Sequence, residues 1–204
     1  MLNVTDAIFG DVLLAVPGAP DITVERAIAR ATRQFCTDTH IWRHTSESLP
    51  VIKGLREVEL DTPSNSTILR PYWVTLDGRQ LLGVSASRIS TDEGKPSGYA
   101  LSPSGVLLLD CFPNESYITN GIQAHFSVAP ERGSVEVPDE LEPYLDAIQS
   151  LAESILLSMP NVDWRDRQGA ADSMALYGNY VTQAKRQGNQ YNQSIHRTVK
   201  YGGV

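Results

Sequence analysis

The sequence has little cysteine, and it has no apolar run long enough to cross a bilayer. Its two cysteines, Cys36 and Cys111, lie far apart and outside any paired motif. This favours two small buried side chains in a reducing compartment over a disulfide or a metal site. Met1 is followed by no basic and apolar leader. We therefore expect a protein that is made in the cytoplasm and has no membrane partner.

The motifs of common enzyme chemistry are also missing. The sequence contains no P-loop pattern, no G-x-G-x-x-G turn and no G-x-S-x-G elbow. His40 and His44 have the spacing of a metal pair on a helix, but Ile41 stands where a zinc-protease helix carries its glutamate. Two surface or helix-end histidines are the favoured interpretation. We expect no catalytic residue, no metal and no cofactor, and hence no enzyme.

Charge is unevenly distributed along the chain, whose net charge is −7. Residues 188–204 contain Arg197 and Lys200 and no acid, which leaves 15 basic and 24 acidic residues in the rest of the chain. Binding to nucleic acid phosphates requires clustered Lys and Arg, so an acidic body disfavours it. At 41% hydrophobic and 20% charged residues, the composition is that of a globular protein with a sizeable core.

The first 48 residues predict two helices. Asn3 or Thr5 suits the N-cap of a short apolar-rich helix that closes at "PGAP". Asp21 suits the N-cap of a second helix, whose apolar residues recur on one face: Val24, Ile28, Ala31 and Phe35. Three arginines lie off this face and could contact a phosphate, although a solvated or interface role is favoured: Arg26, Arg30 and Arg33.

Residues 49–137 predict strands. Six short segments are separated by Gly, Pro, Asn, Asp and Ser clusters. In the last segment, four apolar residues alternate with polar ones, as in a sheet with one solvated face: Ile122, Ala124, Phe126 and Val128. Asp77 and Gly78 suit a hairpin turn. The pattern indicates an antiparallel sheet, sandwich or barrel between helices.

Residues 138–187 again predict helices. The first runs from Pro138 to Pro160 with an apolar stripe of Leu141, Leu145, Ile148, Ala152, Ile155 and Met159. The second ends at Gly188 and has the apolar side Ala170, Met174, Tyr177, Val181 and Ala184. The predicted fold is therefore α+β: a bundle of about four helices (1–48 and 138–187), an inserted antiparallel β domain (49–137) and an extended C-terminal tail (188–204).

Four segments taken together resemble the head-to-tail adaptor, or connector, proteins of tailed bacteriophages. "AIARATRQFCTDTHIWRHT" resembles their first long helix, and "LPVIKGLREVELDT" is similar to the entry into their β insertion. "GKPSGYALSPSGVLLLDCFP" resembles their Gly-x-Pro, Tyr and apolar strand, and "WRDRQGAADSMALYGNYVTQAKRQ" resembles their last helix. Each motif is degenerate alone, and their order over residues 20–187 carries the resemblance.

This resemblance implies a structural virion protein at the head–tail interface. It implies a homo-oligomeric ring, typically of twelve copies, that lies beneath the portal protein and extends the DNA channel. A downstream tail protein (nozzle, stopper or tail tube) would dock on the ring, and DNA would pass through the lumen without specific binding. Because an acidic wall repels phosphates, the acidic body suits that passage.

The resemblance also implies a role for the tail, because members of this family often send a C-terminal segment into grooves between portal subunits. A segment that folds on binding needs apolar anchors to offset its ordering entropy. We expect the anchors to be Tyr191, Ile195, Val199 and Tyr201, and the contacts to acidic portal residues to be Arg197 and Lys200. The alternative is a tail held only by neighbouring copies in a ring or a crystal.

Two other functions fit the sequence. A tail-completion protein, such as a stopper or terminator ring, would share the β domain, but it needs less helix. A β-sandwich module that binds a ligand or sugar could use Tyr72, Trp73 and Tyr99 as a stacking platform. Such a module should be monomeric with a concave aromatic site.

Overall fold

The fold comes from a computed structural model, which describes residues 1–101 and 105–193, with side chains up to residue 188. The predicted α+β class is confirmed. The α-helices of the described chain are α1 (Val4–Ala15), α2 (Asp21–Thr39), α3 (Leu145–Leu157) and α4 (Arg167–Gln193). Two short 3-10 helices cover Ala86–Arg88 and Asp139–Tyr144.

The strands are short apart from two long ones, β5 and β12. In chain order they are β1 (Leu2–Asn3), β2 (Arg43–Thr45), β3 (Leu49–Val51), β4 (Glu57–Glu59), β5 (Ser66–Leu76), β6 (Arg79–Gln80), β7 (Leu82–Gly83), β8 (Glu93–Gly94), β9 (Gly98–Leu101), β10 (Val106–Leu109), β11 (Phe112–Pro113), β12 (Tyr117–Pro130) and β13 (Glu136–Val137).

The chain divides into two compact units. The helical unit contains residues 1–41 and the chain from residue 132 onward, and the β unit contains residues 42–131. The β unit therefore begins at Trp42 and ends at Glu131, several residues before the positions that the sequence suggested. Strand β2 lies in a stretch that was expected to belong to the N-terminal helical segment.

Helix α3 is central to the helical unit, since it contacts α1, α2 and α4. The Asn3 side chain caps α1 by accepting hydrogen bonds from the backbone N–H groups of Thr5 (3.0 Å) and Asp6 (3.3 Å). The predicted face of α2 is fully buried: Val24, Ile28, Ala31 and Phe35. The helical unit also contains the antiparallel β1–β13 pair, in which Leu2 faces Val137.

The helix predicted from Pro138 to Pro160 is interrupted. Residues 139–144 form a 3-10 helix, and α3 begins only at Leu145. Pro143 explains the break, because proline lacks the N–H donor and disfavours α backbone at the residue before it. The buried face of α3 is also wider than the predicted stripe, since Ala147, Leu151 and Leu156 are buried as well.

Two predictions about α4 are wrong. Met174 was expected on the buried side, but it is 47% exposed, and Ser173 is buried instead. The helix was expected to end at Gly188, yet it continues to Gln193. Gly188 does not adopt the left-handed backbone of a C-cap, and a glycine inside a helix weakens it by only about 1 kcal/mol.

In the β unit, the long strand β12 pairs antiparallel with β2, β3 and β5. Its inward residues Ile122, Ala124, Phe126 and Val128 are fully buried, as the alternation predicts. The predicted hairpin turn joins β5 to β6, and Asp77 and Gly78 both have positive φ (52° and 71°). A second sheet has the order β4-β10-β9-β7. Two short pairs, β7 with β9 and β8 with β11, are parallel.

No helix among the described residues is long and apolar enough to span a membrane.

Candidate interaction surfaces

The predicted portal-binding residues fall at the edge of the described chain or beyond it. Tyr191 belongs to the last turns of α4, but its side chain is not described. The other five lie outside the described residues: Ile195, Arg197, Val199, Lys200 and Tyr201. Their proposed role stays a prediction, and the described residues offer two other surfaces.

The first surface is an arginine cleft in the helical unit, of about 670 Å³. Three arginines follow one side of α2 at spacings of four and three residues, which places them one turn apart on the helix. Arg132, which follows the β unit in the chain, completes the cleft. Among the described residues, the lining is Arg26, Ala29, Arg30, Arg33, Arg132 and Gly133.

The described walls of this cleft do not neutralise its charge, since none of the described lining residues is a carboxylate. Among the described residues, Arg26, Arg30 and Arg132 form no ion pair. Like charges three or four residues apart weaken an isolated helix by about 0.2–0.5 kcal/mol per pair. Arg26, Arg30 and Arg132 therefore gain no ion pair from folding among the described residues, and their guanidinium groups are suited to bind carboxylate or phosphate.

The second surface is an aromatic cluster on the β unit, built on a β-bulge. Opposite β12, the register places Trp73 against His125 and Pro71 against Phe126, so Tyr72 is the extra residue. Neighbouring residues of a regular strand point to opposite faces. The bulge instead lets both side chains contact His125: its ring centroid lies 5.4 Å from that of Tyr72 and 5.7 Å from that of Trp73.

Two arginines extend the aromatic cluster. The guanidinium carbon of Arg43 lies 4.9 Å from the Tyr72 ring centroid, and that of Arg70 lies 6.0 Å from it. Partial burial, followed by the charge of Arg43, lowers the pKa of His125. Tyr, Trp and Arg are the residues that dominate the binding energy of protein interfaces. A half-buried group of them is therefore suited to contact a partner.

The stacking platform suggested by the sequence is wrong in its third member. Tyr72 and Trp73 are half-buried neighbours, whereas Tyr99 lies on β9 of the other sheet and is 8% exposed. Four residues of these surfaces were not predicted from the sequence: His125, Arg43, Arg70 and Arg132. Proline before an aromatic pair was the available signal for the bulge, but no local signal linked Arg132 to α2.

The remaining candidates for chemistry are structural. The helix that was to carry both His40 and His44 ends at Thr39, and His44 lies on β2. No group of three or more metal-ligating residues is found in the described part of the chain. Burial raises the pKa of the Cys36 thiol to about 12, and burial with the neighbouring Asp110 raises that of Cys111. Both thiols are therefore poor nucleophiles.

Compared with known protein families and with curated proteins, the chain matches no family model and no relative.

Proposed function

We propose that this protein is a structural virion protein that forms a head-to-tail adaptor ring beneath the portal of a tailed bacteriophage. The observation that carries the proposal is a helical unit interrupted after its second helix by a β unit. Four sequence segments that resemble those proteins follow one another in the same order across this arrangement. The ring, typically of twelve copies, would extend the DNA channel and carry the next tail protein.

The charge of the chain supports this function. Outside residues 188–204, acids outnumber basic residues by 24 to 15. A channel wall with excess carboxylates repels DNA phosphates, so the genome would pass without specific binding. The protein would be made in the host cytoplasm and reside at the head–tail interface of the virion.

Contact with the portal is assigned to the tail. Tyr191, Ile195, Val199 and Tyr201 would supply apolar anchors, and Arg197 and Lys200 would meet acidic portal residues. A segment that becomes ordered on binding loses conformational entropy, and burial of these anchors would offset that cost.

The test is to add purified protein to portal-bearing heads that lack it and to image the products by electron microscopy. The expected product has a ring of density directly beneath the portal. Heads that remain bare would contradict the proposal. Binding only after another ring is already present would instead favour the stopper or terminator role, because such a protein follows the adaptor.

A second candidate, a ligand-binding module, is favoured by one observation, the Tyr72–His125–Trp73 cluster. Aromatic rings beside arginines can pack against the apolar face of a polar ligand such as a sugar. Tryptophan fluorescence during titration with oligosaccharides, with Trp73→Phe as the matched variant, checks this function. A saturable change that the variant loses would support it, and an unchanged spectrum would contradict it.

A further inference from the structure

We infer that the arginine cleft is the docking surface for the acidic turn of a second copy of this chain. The acidic turn is defined by four carboxylates in and after the second 3-10 helix: Asp139, Glu140, Glu142 and Asp146. All four residues are exposed. The inference deepens the proposed ring and rests on that proposal for the closure of the contact into a ring.

The described walls of the cleft offer no anion to its arginines. Arg26 and Arg30 lie four residues apart, and Arg132 adds a third unpaired guanidinium. All three side chains are exposed, so they attract a carboxylate as a cluster of surface charges, and this attraction weakens as the salt concentration rises.

The acidic turn has the matching excess of negative charge. From residue 133 to residue 164 the chain contains seven acids and no Lys or Arg. Asp139 forms an ion pair with the amino group of Met1, whose nitrogen lies 3.2 Å from Asp139 Oδ1. Glu140, Glu142 and Asp146 have no ion-pair partner among the described residues. These carboxylates are therefore open to an external cation.

Among the described residues, no ion pair joins the two surfaces within one copy. Strand β13 precedes the acidic turn and is fixed by pairing with β1, and none of the four carboxylates forms an ion pair with a cleft arginine. A contact between cleft and turn must therefore join different molecules. Such a contact is head-to-tail, and repetition of a head-to-tail contact produces a closed ring or an open filament.

A charge-swap experiment tests the inference. The cleft variant is Arg26→Glu with Arg30→Glu, and the turn variant is Glu140→Lys with Glu142→Lys, which leaves Asp139 on Met1. Association is measured by sedimentation velocity up to about 0.1 mM protein, in about 0.05 M and about 0.5 M salt, where screening differs strongly. Circular dichroism checks that each variant is folded.

We expect the natural chain to associate with rising concentration, and more weakly in high salt. Each variant alone should raise the dissociation constant at least about tenfold, and the chain with all four substitutions should regain association. Arg165→Glu with Arg167→Glu is the matched control, because both arginines are exposed and lie outside the cleft. It should leave association unchanged.

Several results would overturn the inference. The inference is wrong if the natural chain stays monomeric under all these conditions. It is also wrong if the chain with all four substitutions fails to regain association. An equal loss in the control would show a general charge effect. A last outcome is that the natural chain binds duplex DNA, does not self-associate, and loses DNA binding in the cleft variant. The cleft would then be a phosphate-binding site.

The assay with portal-bearing heads distinguishes a failure of this inference from a failure of the proposed function. If the cleft variant joins heads as well as the natural chain does, the contact between copies is wrong and the adaptor role stands. If the natural chain never joins heads, the adaptor role fails, whatever the charge swap shows.

Discussion

At the residue scale, Tyr177 connects two helices that are far apart in sequence. Its hydroxyl donates a 2.6 Å hydrogen bond to Asp38 on α2, while its ring lies 6.5 Å from that of Phe35. The Tyr177→Phe variant should lower the free energy of unfolding by about 1.5–3 kcal/mol, since the acceptor is a carboxylate. Urea unfolding followed by circular dichroism measures this.

The control for that variant lies on the same helix. Tyr180 is half-buried and forms no hydrogen bond with described side chains, so Tyr180→Phe should change stability by less than about 0.5 kcal/mol. Equal losses in both variants would show that the Tyr177–Asp38 bond contributes little.

The same tyrosine makes the stability of the folded chain depend on pH in a direction that can be predicted. Burial, and then the hydrogen bond to Asp38, raise the pKa of Tyr177 above its ordinary value. In the unfolded chain the phenol releases its proton near pH 10, while the folded chain retains it. The stability that Tyr177 contributes is therefore complete below pH 10 and is lost as the pH rises further.

The measurement is the difference in melting temperature between the natural chain and Tyr177→Phe from pH 8.5 to 11. We expect the advantage of the natural chain to shrink above about pH 10. A difference that is constant over this range would contradict the assigned pKa shift.

At the element scale, strand β3 depends on a glycine in β12. A Cβ placed on Gly121 would overlap the Leu49 carbonyl oxygen and would come within 2.6 Å of its carbonyl carbon. These atoms are backbone, so they cannot move aside as a side chain would. Gly121→Ala should therefore destabilise the β unit by about 1–3 kcal/mol.

A second glycine provides a matched control. Gly10 lies on the exposed side of α1, and a Cβ there would meet no atom within 4 Å. Gly10→Ala should stabilise its helix by about 0.5–1 kcal/mol, because alanine loses less backbone entropy in a helix. Thermal unfolding of both variants checks the opposite signs, and destabilisation by Gly10→Ala or none by Gly121→Ala would contradict them.

Local pattern predicted the elements better than it predicted their ends. The α2 face and the Asp77–Gly78 turn follow from periodicity and turn chemistry, which act within a few residues. The extension of α4 past Gly188 and the burial of Ser173 in place of Met174 depend on which helix side packs on α3, and tertiary packing decides that side.

The candidate surfaces were harder to predict from the sequence, because they too depend on tertiary contacts. The spacing of Arg26, Arg30 and Arg33 could be read from the chain, but Arg132 joins them only because the chain returns to the helical unit after the β unit. The bulge at Tyr72 arises from pairing with β12, and the proline before the aromatic pair does not specify that partner strand.

At the scale of the whole molecule, the end of α4 fixes where the tail can be cut. Since the helix continues to Gln193, a chain that ends at residue 193 keeps every described element. It also lacks Ile195, Val199 and Tyr201, three of the proposed anchors. We expect its circular dichroism and melting temperature to match those of the natural chain, because every described helix and strand is retained.

The same truncation should abolish joining to portal-bearing heads, counted by electron microscopy as the fraction with a ring beneath the portal. Apolar anchors are expected to supply the free energy that offsets ordering of the segment. Replacing Ile195, Val199 and Tyr201 by serine in the full chain should therefore have nearly the same effect, whereas His196→Ser with Thr198→Ser should not. If the truncated chain joins heads normally, the tail is not the anchor, and an adaptor role must rest on the described surfaces.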